Sequence, residues 1–246
     1  MSYTRCMARK RRIDYPGAWH HVMHRGARRE AIYDDQQDCI LFLEHVGQTV
    51  KRFGMEVHAY ALMPNHYHLL VRSVKGNLSR CMQHLNGSYA RGFNSRRSYD
   101  GPVFRGRFRN QVVDESRHLE TLVPYIHLNP VRGGLVPSPE QAVWSSYAAY
   151  IGETTPPEWL QMDVILLLYG DVQNMVEHMH NLHRRSLPWP SDFDLERGIL
   201  MAWDPEVPRT EYERAMARRK VAEEVKAAVC HINVASSEKI ALRWQW

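Results

Sequence analysis

Met55-Glu56-Val57-His58-Ala59-Tyr60-Ala61-Leu62 and His66-Tyr67-His68-Leu69-Leu70-Val71-Arg72 are two apolar runs separated by Met63-Pro64-Asn65. Proline followed by asparagine is turn chemistry, so the pair reads as an antiparallel hairpin. Upstream, Asp34 or Asp35 offers a helix N-cap, and Ile40, Leu41, Leu43, Val46 and Val50 recur at helical spacing until Gly54. Ahead of that helix, Ala18–Arg25 reads as a short strand ending at Gly26. Downstream, Asn77 is placed to cap a second helix, whose Leu78, Met82, Leu85, Tyr89 and Phe93 form one apolar stripe. Pro102–Val113 reads as a fourth strand. A third helix starts near Asp114 or Ser116 and is expected to end by Asn129, because Pro130 disfavours helical geometry in the residue before it.

Strand, helix, strand, strand, helix, strand, then a further helix is an α+β order. It matches the ferredoxin-like, split-βαβ arrangement: an antiparallel sheet with helices on one face and the other face left for a substrate. The expected organisation is a basic arm over 1–12, one domain over 13–150 and a helical C-terminal extension over 151–246. Residues 144–183 look helical, 186–209 are rich in Pro and Trp, and Thr210 with Glu213 form a capping box for a final helix through about Val229.

The composition excludes several classes. At 246 residues, 44% hydrophobic and 24% charged, the chain is an ordinary globular sequence, neither disordered nor fibrous. Its longest apolar run, Val164–Tyr169, is far too short to span a bilayer, and no apolar segment follows the basic Met1–Arg12 to make a signal peptide. Cys6, Cys39, Cys81 and Cys230 are scattered without a CxxC pair, which excludes a zinc ribbon or disulfide scaffold and suits a reducing cytoplasm. Charge is divided unevenly. Residues 1–150 hold 21 Lys+Arg against 12 Asp+Glu, a net of +9, and residues 151–246 hold 11 against 15, a net of −4. The first part therefore suits a polyanion partner.

Two constellations could carry chemistry. On a strand, His66 and His68 share one face while Tyr67, Leu69 and Val71 face the core. Two imidazoles about 7 Å apart along a strand can ligate one metal ion, although two half-exposed, solvated histidines would have the same spacing. On the third helix, Tyr125 and Asn129 are four apart and so lie on one face. Tyrosine offers a hydroxyl that can attack phosphorus, and asparagine an amide oxygen that can join a metal shell. Packing for Tyr125 and helix capping for Asn129 are the plainer readings. Phe104-Arg105-Gly106-Arg107-Phe108-Arg109 interleaves aromatics with cations, a pattern that stacks bases and neutralises phosphates. Arg25, Arg28, Arg29 and the arm Arg9-Lys10-Arg11-Arg12 are further candidates for DNA contact. Pro124 removes a helix N–H beside Tyr125. His178, His180 and His183 suggest a cluster, but 178 and 180 diverge on a helix.

Met63-Pro64-Asn65-His66-Tyr67-His68-Leu69-Leu70-Val71 and Tyr125-Ile126-His127-Leu128-Asn129-Pro130-Val131-Arg132 together resemble the single-tyrosine HUH transposases, and within them the REP-associated tyrosine transposases of bacteria. Pro16-Gly17-Ala18-Trp19-His20-His21-Val22, Arg25-Gly26 and Trp144-Ser145-Ser146-Tyr147 add to the resemblance, which spans about residues 13–150 in order. It implies His66 and His68 as the metal pair, Tyr125 as nucleophile and Asn129 as a third ligand, with Mg²⁺ or Mn²⁺ as the metal. Imidazole by itself usually suits zinc, iron or nickel better than magnesium. The resemblance further implies a cytoplasmic, nucleoid-associated protein, monomer or homodimer. Such a protein cleaves single-stranded DNA beside REP-like hairpins, leaving a 5′-phosphotyrosine and a free 3′-OH, and rejoins strands without a nucleotide cofactor. A non-catalytic DNA- or RNA-binding module on the same RRM-like sheet is the alternative, although RNP-type Gly-aromatic strings are absent. A transposase that has lost cleavage and keeps binding is a third.

Overall fold

The computed structural model describes residues 12–113 and 116–184. Strands β1 (Ala18–Arg25), β2 (Glu56–Met63), β3 (His66–Ser73) and β4 (Arg109–Val113) form one sheet in the order β2-β3-β1-β4, every neighbouring pair antiparallel. With helices α1 (Gln36–Phe53) and α2 (Leu78–Arg97) as the crossovers, this is the expected ferredoxin-like α+β architecture. Asp35 caps α1 in a reciprocal box with Asp38, and Gly54, at φ +71°, ends it in the left-handed conformation that glycine adopts without strain. Asp38 is fully buried and ion-paired with Arg96 and Arg97, which ties the start of α1 to the end of α2. The α2 stripe buries every one of its five apolar residues with Tyr67, Leu69 and Val71 of β3, as strand alternation requires.

Asn77 stands at the N-cap position of α2 as expected, but its side chain makes no capping bond. Its amide donates to the Phe53 carbonyl, and the Leu78 N–H is taken by Asp14 Oδ2 at 2.8 Å, from just before β1. The fourth strand is also shorter than expected. Residues 102–108 form a loop in which Gly106, at φ +64°, turns the chain. Phe104 and Phe108 nevertheless point into the α1/α2 core, and Arg105 and Arg107 stay exposed.

The second sheet face is not bare. Helix α3 (Ser116–Arg132) packs chiefly on β2, where Ala59 and Ala61 leave room for it, and builds a second core with α4 (Tyr147–Tyr150), α5 (Asp163–Tyr169) and α6 (Val172–Arg184). The helix contains both Pro124 and Pro130 and runs past Asn129. So near a helix end, Pro130 forfeits only one backbone bond, while Asn129 Nδ2 donates to the Tyr125 carbonyl at 2.9 Å. Pro124 strips the Glu120 carbonyl of its helical donor, and the Tyr169 hydroxyl of α5 donates to it at 2.7 Å. Tyr169→Phe should therefore cost about 1 kcal/mol in urea unfolding. An unchanged midpoint would show that the carbonyl is satisfied without α5.

The β2 edge is sealed. Leu62 N–H donates to Trp144 O, Ser146 N–H to Tyr60 O, and Gln161 N–H to Val57 O. Ser146 Oγ also meets His127 Nε2 at 2.8 Å, anchoring α3. Burial holds His127 down at about 3 and lowers His58 as well, so both stay neutral in the fold. Unfolding then lets His127 take up a proton below about pH 6.5: its contribution to stability is complete above that value and falls as pH drops towards 3, by up to about 1.4 kcal/mol per unit. Urea midpoints at pH 7.5 and 5 should differ less for His127→Gln than for wild type. An equal difference would remove His127 as a source.

The helix expected over residues 210–229, the linker over 186–209 and the arm through Arg11 lie outside the described residues. Among the described residues, no helix is long and apolar enough to cross a membrane.

Candidate functional site

β3 starts directly after the Pro64-Asn65 turn, and its register sets Met23 opposite His68 and Arg25 opposite His66. His66 and His68 share the face on which α3 lies, with ring centroids 5.0 Å apart. His66 Nδ1 is 2.7 Å from Asn65 Oδ1, an atom that only accepts, so Nδ1 carries the proton and Nε2 the lone pair. Asn65 is itself held, donating from Nδ2 to the Arg29 carbonyl. The turn asparagine thus also orients a histidine.

A residue missed in the sequence completes this group. His21 of β1 lies diagonally across from His68, with Nε2 at 2.9 Å from His68 Nδ1 and the rings stacked. Burial drops His21 to about 3. Burial, and after it the neighbouring imidazoles of His66 and His21, holds His68 well below the ordinary histidine value. Both are neutral near pH 7, the form in which an imidazole ligates metal. Tyr125 is 3% exposed and packs edge-on against His21 and His68, at 5.8 and 5.6 Å between centroids. Arg132, two turns on along α3, is the second missed neighbour. Burial pulls it to about 10, still fully charged near pH 7, and Tyr125 acts against that shift.

Among the described residues, no three of His, Cys, Asp and Glu converge as a metal cluster. The donor set of two neutral imidazoles therefore fits a divalent ion only with an oxygen ligand of another type. Asn129, the third ligand that the resemblance implies, has its Nδ2 engaged with Tyr125 O, and Oδ1 is the atom that bond leaves. His180 pairs with Glu140 and His178 packs on Tyr169, so those two make no centre with His183.

A cleft of about 380 Å³ opens beside His66, lined by Arg12, Arg25, Arg105, Arg107 and Arg109 with no Asp or Glu. The 104–108 loop is pinned to the end of β1 by Arg105 N–H donating to Arg25 O and by a bridge between Gly26 and Phe104. Arg12 stacks on Phe108, 3.7 Å from the ring centroid, and donates to the Phe108 carbonyl. Four of the six arginines expected at a DNA surface meet here. Arg28 and Arg29 do not line the cleft. They stand exposed on the turn after β1, both at positive φ, with Arg28 3.6 Å from Glu30.

Residues 15–129 match the family model described as IS200-like transposase. Over that span, just under half of the chain, the sequence is similar to the IS200-like transposases. The REP-associated tyrosine transposase, solved bound to a REP hairpin, is 18% identical and superposes with a TM-score of 0.51 over 64% of this chain and 93% of that one. The family match agrees with the transposase resemblance drawn from the motifs, and the superposition bears out the ferredoxin-like fold expected with it. A putative transposase from Deinococcus radiodurans R1 is 19% identical over 47% of this chain and 93% of its own, with a TM-score of 0.34. No curated protein matches the sequence.

Proposed function

We propose that this protein is a transposase and a metal-dependent endonuclease of single-stranded DNA that cuts and rejoins strands beside hairpins, with Tyr125 as the nucleophile. The observation that carries this reading is the convergence of His66, His68 and Tyr125 on one sheet face beside an arginine cleft. His66 and His68, with Asn129 Oδ1, are the residues to hold Mg²⁺ or Mn²⁺. When bound, the ion polarises the scissile phosphate and offsets charge on the leaving 3′ oxygen.

The remaining roles belong to the chain. Asn65 and His21 fix the ring orientations of His66 and His68, as partners behind metal ligands do. A free tyrosine has a pKa near 10, so about one in a thousand is ionised at neutral pH. Arg132 favours the phenolate of Tyr125. The Tyr125 oxygen attacks phosphorus, the bond to the 3′ oxygen breaks, and the DNA 5′ end remains on the tyrosine; the 3′-OH of a second strand reverses the step. The cleft arginines position the strand through its phosphates. A REP-like hairpin is the expected substrate, since the structurally similar relative is described as bound to one.

The test is incubation with Mn²⁺ and a pool of hairpin oligonucleotides labelled 3′ of the cut. A slow, protease-sensitive band on a denaturing gel is expected, and binding without such a band on any hairpin would favour the binding module. Affinity should also fall steeply with salt, and Arg105→Ala with Arg107→Ala should flatten the log–log slope by about one to two units. An unchanged slope would take the 104–109 loop off the DNA.

A further inference from the structure

At the opposite end of β3 from His66, a second cleft of about 490 Å³ is lined by Arg52, Phe53, Lys75, Asn77, Arg80 and His84, with Gln83 the remaining polar group and no acid. Its cations are placed by specific contacts. The Phe53 ring lies under two guanidinium groups, Arg52 at 5.4 Å and Arg80 at 5.9 Å from its centroid. Asn77 holds the Phe53 carbonyl at 3.2 Å. Thr49 spends its hydroxyl proton on the His45 carbonyl, so at 3.1 Å it accepts from His84 Nδ1–H. His84 Nε2 is then the acceptor for Arg52 at 3.3 Å. Burial and the Arg52 charge keep His84 below the ordinary histidine value, so it remains an acceptor. Among the described residues, Arg52, Lys75 and Arg80 form no salt bridge, and the nearby Asp14 is engaged with Leu78 N–H and His20. Three cations gathered without a counter-charge repel one another, and a chain of phosphates removes that cost.

We propose that this cleft is a second DNA site, which grips the backbone phosphates of the hairpin stem while the first cleft and Tyr125 engage the single-stranded foot. The proposal rests on the hairpin reading above. β3 spans eight residues between the two clefts, about 25 Å at its rise per residue, which is about seven base pairs of duplex. A long stem reaches both clefts and a short stem only the first.

Two hairpins with the same foot and stems of about 4 and 12 base pairs are titrated by fluorescence anisotropy at several salt concentrations. They are tested against wild type and against Arg52→Gln/Lys75→Gln/Arg80→Gln. The triple variant should bind the long stem about ten-fold or more weakly, with its salt slope reduced by about 2 to 3 units, while short-stem affinity and adduct formation stay unchanged. Lys75→Glu, a single exposed change, should show the same stem-length selectivity and guards against misfolding of the triple variant. Equal losses on both stems, or no loss on either, overturn the second site alone. Failure of wild type to bind either hairpin overturns the hairpin reading, and this site with it.

Discussion

A protein carrying Tyr125→Phe is expected to bind hairpin DNA as wild type does and to form no covalent adduct with it. The ring is 3% exposed and packs against His21 and His68, so phenylalanine keeps the packing and removes only the hydroxyl oxygen. With Tyr125 as the proposed nucleophile, its loss should reduce cleavage below detection, since no second hydroxyl is assigned to the phosphate. The hydroxyls of Tyr89 and Tyr147 are committed elsewhere, to the Ile32 carbonyl and the Glu140 carboxylate. An adduct that persists in Tyr125→Phe would make another tyrosine the nucleophile and remove α3 from the chemistry.

The second large effect is expected at the histidines. His66→Ala with His68→Ala should abolish both Mn²⁺ binding and cleavage while hairpin affinity falls only modestly, because backbone contacts supply most of it. His21→Ala is more discriminating. Losing a partner behind a metal ligand typically weakens metal affinity 10- to 100-fold, read here by calorimetric Mn²⁺ titration of the protein without DNA. Saturating Mn²⁺ should then restore adduct formation in His21→Ala but not in the double variant. His21→Gln, which can still hydrogen-bond His68, should recover part of the affinity. Unchanged Mn²⁺ affinity in His21→Ala would reduce His21 to a packing residue.

The parts legible in the sequence are those set by local chemistry. Pro64-Asn65 marked the hairpin, Asp35 and Gly54 bounded α1, and the five-residue stripe placed α2. Alternation put His66 and His68 on one face because period two is local. His21 was not legible as their companion: its position depends on the β1–β3 register, and register is a long-range property. The 102–108 segment mimicked a strand because its aromatics and arginines alternate, yet Gly106 breaks the extended backbone without disturbing which residues point inward. Pro130 misled for a related reason. The rule about the residue before proline weighs one local clash, and the Asn129 amide bond to Tyr125 and the bonds closing the helix at Gly133 and Leu135 outweigh it.

Asp14 gives the domain a boundary that family similarity alone would misplace. The matched span begins at residue 15 and ends at 129. Asp14 holds both the first N–H of α2 and the His20 ring, while Trp144, Ser146 and Tyr169 complete β2 and α3 from beyond the other limit. A fragment trimmed to the recognisable span would expose the β2 edge, uncap a crossover helix and leave the Glu120 carbonyl without its donor. The family-matched span and the folding unit are therefore different lengths of chain: an excised version able to fold is expected to start no later than Asp14 and to reach at least Tyr169.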